Sequence, residues 1–345
     1  MTFRKAVAAL VFAIVAFTRP AFAADQCTPF GDPPAQINHG FFASALAAHN
    51  PICFGGRVLG PWKDSDGTDR YACIYEPEQH SRDTPLPLLV FLHGSLATAD
   101  SIKLTGLTSA IETGDLGEKK PGFILLAPEG RYTSHHYPGL DSNAMGWDNW
   151  YRQLSPSGDV TIAGTTYKEN VDAAAIHHFI QDEIATGEVD ASRVYLTGWS
   201  NGAAMALLYA LNRQSIAAAA VYSAPDPFGA FNDPCMQTPV PRAPTSNAEV
   251  QIFNPHIALM HVRNSCDIGG ICPNGNTFAQ QMRSISISLD DVLLNAYGTP
   301  ISACDDTCGT SPNADGDVSV MGQVAGFGHH VRWPSAWNAR MLAFL

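Results

Sequence analysis

The chain has 345 residues and a formal net charge of −12, from 20 Lys and Arg against 32 Asp and Glu. Acidity of this size, with no basic cluster, excludes nucleic acid and anionic lipid as partners and points to a neutral or apolar substrate. Eight cysteines (Cys27, Cys53, Cys73, Cys235, Cys266, Cys272, Cys304, Cys308) contain no CxxC spacing, which argues for disulfides rather than zinc.

In chain order, Arg4 and Lys5 precede an apolar run from Ala6 to Phe17 and a small-x-small site, Ala21-Phe22-Ala23. That pattern predicts a signal peptide over 1–23 and an exported protein, extracellular or periplasmic. Removing it leaves 322 residues and a charge of −15, enough for one catalytic domain over 24–345, expected to be a monomer with no membrane partner. Residues 24–70 carry little periodicity and read as an irregular segment held by Cys27 and Cys53. Short apolar runs at Leu86–Leu92 and Phe123–Ala127 then suit strands buried on both faces, and Arg70–Tyr75 can form another. Val171, Ala175 and Phe179, with Ile176, Ile180 and Ile184 alongside, mark an amphipathic helix. Arg193–Thr197, Ala217–Tyr222 and Ile257–Val262 read as strands and Gly202–Leu211 as a helix, so the fold class is α/β, with a mostly parallel, doubly wound sheet whose site lies at the carboxyl ends of the strands. Seven prolines between Ser223 and Pro255 predict an irregular excursion over that site.

Gly198-Trp199-Ser200-Asn201-Gly202 fits the G-x-S-x-G nucleophile elbow and stands between a strand and a helix, as the motif requires. A serine hydroxyl is inert until a base takes its proton, and Gly326-Phe327-Gly328-His329-His330 supplies two late histidines. His329 is favoured, because flanking glycines let a loop carry it to the elbow; His330 is the alternative. The acid that orients the imidazole is expected after the strand ending at Val262, where Asp267 comes first, held in a small covalent loop if Cys266 joins Cys272. Asp290 and Asp291, in what reads as the next helix, and Asp226 are its competitors. The oxyanion donors expected are the N–H groups of Asn201 and of Ser95, in His93-Gly94-Ser95 after an early strand. His93 itself reads as a structural group of that loop.

His93-Gly94-Ser95, the elbow with the Ala203-Ala204-Met205 that follows it, and Gly326-Phe327-Gly328-His329, together with Gly146-Trp147-Asp148-Asn149-Trp150-Tyr151, resemble the secreted esterases related to polyhydroxybutyrate depolymerases and feruloyl esterases, over roughly residues 85–335. The resemblance implies the α/β-hydrolase fold and extracellular hydrolysis of carboxylic esters by a Ser-His-Asp triad without a cofactor. It departs from that family at Ser95, where a cysteine is frequent, and in the segment His261-Val262-Arg263-Asn264-Ser265-Cys266-Asp267, where the family has His-Gly-Thr-x-Asp.

Trp199, Trp147 and Trp150 offer a flat apolar platform for an aromatic acyl group, with core packing the alternative for Trp147 and Trp150. Feruloyl esters of plant polysaccharide are therefore the expected substrate, and polyhydroxybutyrate the alternative; a serine peptidase and an inactive binding module are the rivals from other classes. Asp64-Ser65-Asp66-Gly67-Thr68-Asp69 and Asn313-Ala314-Asp315-Gly316-Asp317 open like calcium loops but lack the closing Glu, so polar turns are expected. The pairs His135-His136 and His177-His178 point apart on a regular element, and no metal site is expected.

Overall fold

The computed structural model describes residues 51–64, 68–78, 80–95, 97–116, 122–133, 144–147, 160–162, 165–167, 170–227, 252, 254–265, 267, 271–295, 298–304, 318–324, 328–331 and 333–345. The segment expected to be a signal peptide, most of the proline-rich excursion, Trp150, the pair His135-His136 and the calcium-like segment 313–317 lie outside these residues.

Fourteen strands are described: β1 (Arg57–Lys63), β2 (Asp69–Tyr75), β3 (Leu86–Leu92), β4 (Ile124–Pro128), β5 (Arg131–Thr133), β6 (Ala144–Gly146), β7 (Val160–Ile162), β8 (Thr165–Tyr167), β9 (Val189–Gly198), β10 (Ala218–Tyr222), β11 (Ala258–Asn264), β12 (Leu289–Leu294), β13 (Val318–Val324) and β14 (Gly328–Val331). The helices are α1 (Val171–Ala185), α2 (Asn201–Asn212), α3 (Ile271–Ser284) and α4 (Asn338–Phe344). The main sheet runs β1-β2-β4-β3-β9-β10-β11-β12, and β5–β6, β7–β8 and β13–β14 form three small antiparallel pairs. Only β2 opposes the rest of the main sheet; every pair from β4 to β12 is parallel. A parallel sheet with one reversed strand near its edge and a serine on the turn after its central strand is the α/β-hydrolase fold.

The period of two explains why β3 reads as a continuous apolar run. Leu88, Val90 and Leu92 enter one core layer with Ile176 and Phe179 of α1 and Phe278 of α3, whereas Leu89 and Phe91 enter the other with Met341 and Leu342 of α4. Asn170 starts α1 by accepting the N–H groups of Asp172 and Ala173, both at 3.0 Å.

Four expectations change. Residues 57–63 form the edge strand β1 rather than irregular chain. Asp290 and Asp291 stand on β12, not on a helix. Cys53 pairs with Cys73 and Cys272 with Cys304, so neither a Cys27–Cys53 tether nor a Cys266–Cys272 loop forms. His329 stands on β14, its backbone opposite Gln323 in a hairpin, and not on a free loop. Among the described residues no helix is long and apolar enough to cross a membrane.

Candidate active site

Ser200 occupies the sharp bend between β9 and α2 with φ 57° and ψ −120°, a backbone conformation that non-glycine residues seldom adopt. The bend is held from both sides. The N–H of Trp199 donates to Leu92 O at 3.0 Å, and that of Ser200 donates to Tyr222 O at 3.1 Å, tying the elbow to the carboxyl ends of β3 and β10. Its two glycines are steric requirements: a Cβ on Gly198 would stand 2.6 Å from Gly202 O, and one on Gly202 would overlap the carbonyl of Leu92. Strain of this kind persists only where the surroundings impose it.

The loop after β3 lies directly over the serine. A Cβ on Gly94 would come within 3.4 Å of Ser200 Cβ. His93, fully buried, accepts the N–H of Gly130 at Nε2 (2.8 Å), which puts the ring proton on Nδ1, where it donates to Gly94 O (2.8 Å). Burial lowers its pKa, with the charge of Glu129 pulling the other way, so the ring stays neutral in this bonding. Because the peptide is trans and planar, fixing Gly94 O toward the ring turns the N–H of Ser95 the opposite way. At the far end of the loop the Glu129 carboxylate accepts the N–H of Ala99. The turn after β4 thus grips the loop at both ends. That turn is itself anchored: Arg70 donates to Glu129 O (3.3 Å) and pairs with Asp172 (2.6 Å) and Asp64 (3.1 Å), all buried. Asp64, the first residue of a calcium-like segment, is therefore part of a buried ion-pair cluster and a polar turn.

Trp147 is fully buried: its indole N–H donates to His93 O (2.8 Å), its backbone N–H to the side chain of Asn201 (2.7 Å), and its ring packs on His93. Of the two roles open to it, this is packing beneath the oxyanion loop rather than a solvent-facing platform. Asn201, the first residue of α2, has its side chain spent on Trp147, while its N–H belongs to the positive end of the helix. Trp199 is nearly buried, and Trp150 lies outside the described residues.

Of the candidate acids, Asp291 is engaged by Arg263 through two oxygens (2.9 and 2.8 Å), and Asp290 faces Arg340 at the surface. Asp267 is buried at the carboxyl end of β11, two strands from the elbow, a separation of about 10 Å that leaves room for one imidazole. Ser223, which the sequence reading missed, donates its hydroxyl to Asp267 Oδ2 and its N–H to Val262 O (2.8 Å). It adopts φ 59° directly after β10; nothing in the sequence distinguishes it from an ordinary turn serine. Asp226, also buried, stays at the same end of the sheet. The side chains of His329 and His330 lie outside the described residues; the structure brings Gly94, and with it the loop of Ser95, over Ser200 and Asn201, and sets Asp267 against Ser223 beyond the neighbouring strands.

No protein-family model and no curated protein matches the chain. Among solved structures it is similar to esterase 2 of Thermogutta terrifontis phosphoramylated by tabun (12% identity, 75% of this chain and 91% of that one, TM-score 0.48). A thermostable esterase (15% identity, 71% and 56%, TM-score 0.42) and dipeptidyl peptidase 4 of Porphyromonas gingivalis (15% identity, 70% and 32%, TM-score 0.40) are similar too. These are likenesses of chain course, and they carry no argument about activity.

Proposed function

We propose that the chain is an exported serine carboxylic ester hydrolase. Ser200 attacks the ester carbonyl while His329 takes its proton. The N–H groups of Ser95 and Asn201 hold the oxyanion, and the alcohol leaves with the proton that His329 returns. Water then repeats the sequence on the acyl-enzyme, with Asp267 orienting the imidazole and stabilising its charged form. The observation that carries this reading is the strained bend at Ser200, clamped under a loop whose peptide orientation His93 fixes. Backbone strain of this kind gathers at active sites, where the surroundings hold it in place. Export is supported by the residues of the signal segment and by two disulfides, which persist in oxidising compartments.

Among esters we infer feruloyl-type esters of plant polysaccharide, which the family resemblance supports. With Trp147 buried, the aromatic-acyl argument rests on Trp199 and Trp150. The test is release of p-nitrophenol from a short-chain ester by wild type and Ser200→Ala, followed by methyl ferulate beside a polyhydroxybutyrate film. Ser200→Ala should lose turnover by about 10⁴- to 10⁶-fold while keeping its circular dichroism. A variant retaining a tenth of the wild-type rate overturns the nucleophile, and film clearing without ferulate release moves the substrate to polyester.

A further inference from the structure

At the amino-terminal edge of the sheet, opposite the edge that carries Ser200, three side chains converge. Glu76 follows β2, His80 stands in the turn after it, and Glu188 immediately precedes β9. His80 Nε2 lies 3.4 Å from Glu188 Oε2 and 3.8 Å from Glu76 Oε1. One ligand atom from each of the three residues falls within 4.8 Å of the other two.

Two features separate this cluster from an ordinary surface ion pair. First, His80 Nδ1 is 2.7 Å from Pro77 O and so carries the ring proton, which turns the Nε2 lone pair toward the two carboxylates. Both distances from Nε2 exceed a good N–H···O bond; the 3.4 Å to Glu188 falls within the ~3.3–3.6 Å separation of neighbouring ligands around a tetrahedral ion with bonds of about 2.0–2.2 Å, and the 3.8 Å to Glu76 lies slightly beyond it. A backbone carbonyl accepting the other ring N–H is also how metal-bound imidazoles are oriented. Second, Glu183 in the last turn of α1, five residues before Glu188, is a charged side chain only 3% exposed. Burial foremost, opposed by the charge of Arg57 and helped by those of Glu76, Asp182 and Glu188, pushes its carboxyl up to about 7. The competing cation is Arg57, 3.1 Å from Glu76 Oε1 in a pair whose guanidinium is largely exposed, and such a pair is weak enough to be displaced.

We propose that Glu76, His80 and Glu188 bind a divalent transition-metal ion of the zinc type, with Glu183 as a buried carboxylate close by. The ion would join the exit of β2 to the entry of β9, far from the serine, as a structural clip. The donor set of one imidazole and carboxylates suits zinc better than calcium, which needs six or more oxygens. The sequence reading expected no metal because these residues are more than a hundred positions apart from end to end.

The test is calorimetric titration of the EDTA-dialysed full chain with zinc chloride, beside thermal unfolding at rising zinc. Expected are one saturable site and an unfolding midpoint that climbs with the logarithm of zinc concentration. Glu188→Gln and His80→Gln should each weaken binding by about tenfold or more, and Arg57→Gln should tighten it, with circular dichroism confirming that each variant is folded. Absence of saturable uptake by the wild type, or an affinity within about twofold of wild type in both ligand variants, overturns the site. Neither readout depends on ester hydrolysis.

Discussion

At Gly202 the room for even a methyl group is already taken by the backbone of Leu92 and His93, whereas at Gly94 a methyl would only touch Ser200 Cβ and Trp199 O at 3.4 Å. The two glycines of the site therefore serve different ends, and alanine should separate them. Gly202→Ala forces backbone apart and should cost about 3 kcal/mol or more of stability, at the top of the range for overpacking. Gly94→Ala should leave the urea midpoint nearly unchanged but lower ester turnover by on the order of 10²-fold, because the added methyl takes space beside Ser200 that an ester must enter to be aligned. Urea unfolding and p-nitrophenyl ester hydrolysis on the two variants check this; equal stability loss in both would mean that the loop does not lie over the serine. Gly202 was legible in the sequence because a motif names it. Ser223 was not, since its hydroxyl meets Asp267 across 44 residues of chain and no local pattern encodes that contact.

Among elements, the central strands were readable and the edges were not. β3, β4, β9 and β10 are buried on both faces, so composition alone marks them. β12 is an edge strand whose Leu-Asp-Asp-Val-Leu-Leu mixes polar and apolar residues, which imitates a helix. Its Asp291 instead anchors Arg263 of β11, and the same guanidinium donates to Cys272 O (2.7 Å) and Asn276 Oδ1 (2.6 Å) of α3. This clamp, rather than a small disulfide loop, steadies the strand end that bears Asp267. Next to it, burial pushes His261 down to about 4, with Asp291 opposing and Arg263 reinforcing. An unfolded histidine titrates near ~6.5. As pH falls from about 6.5 to about 4, the unfolded chain takes up a proton that folded His261 refuses, and stability is lost over that window. Glu183 works the other way: raised to about 7, it contributes stability at low pH that is lost as pH rises through that value. The informative quantity is therefore the difference between wild type and His261→Gln at each pH. The variant should be less stable at pH 7.5, and the gap should narrow by a few kcal/mol toward pH 4, measured by guanidinium unfolding. A gap independent of pH would mean that His261 is charged or accessible in the folded protein.

At the scale of the whole molecule, the two disulfides among the described residues stand at opposite flanks of the sheet. Cys53–Cys73 pins the chain before β1 to β2, and Cys272–Cys304 pins α3 to the segment after β12. Between them the central strands bury apolar side chains on both faces, and each crosslink ties a peripheral segment to an element near the sheet's edge. The pairing was illegible in the sequence because eight cysteines permit many connectivities, and short spacings such as 266 to 272 look locally closable. It is open to direct measurement. Peptide mapping of the unreduced protein should yield fragments joined through Cys272 and Cys304. A fragment joining Cys266 to Cys272 would contradict the clamp described for Arg263 as well as the bond itself. Replacing Cys272 and Cys304 together by serine should cost about 2–4 kcal/mol, as expected for closing a loop of 32 residues. Since the crosslink lies beside the strand that delivers Asp267, and the imidazole serves acylation and deacylation alike, the folded fraction of that variant should be slowed in both steps, its rate constants falling while its burst amplitude per folded molecule is kept. Burst rate and burst amplitude of p-nitrophenol release, recorded below the variant's unfolding midpoint, distinguish that outcome from simple unfolding, which would shrink the amplitude and leave the rate constants unchanged.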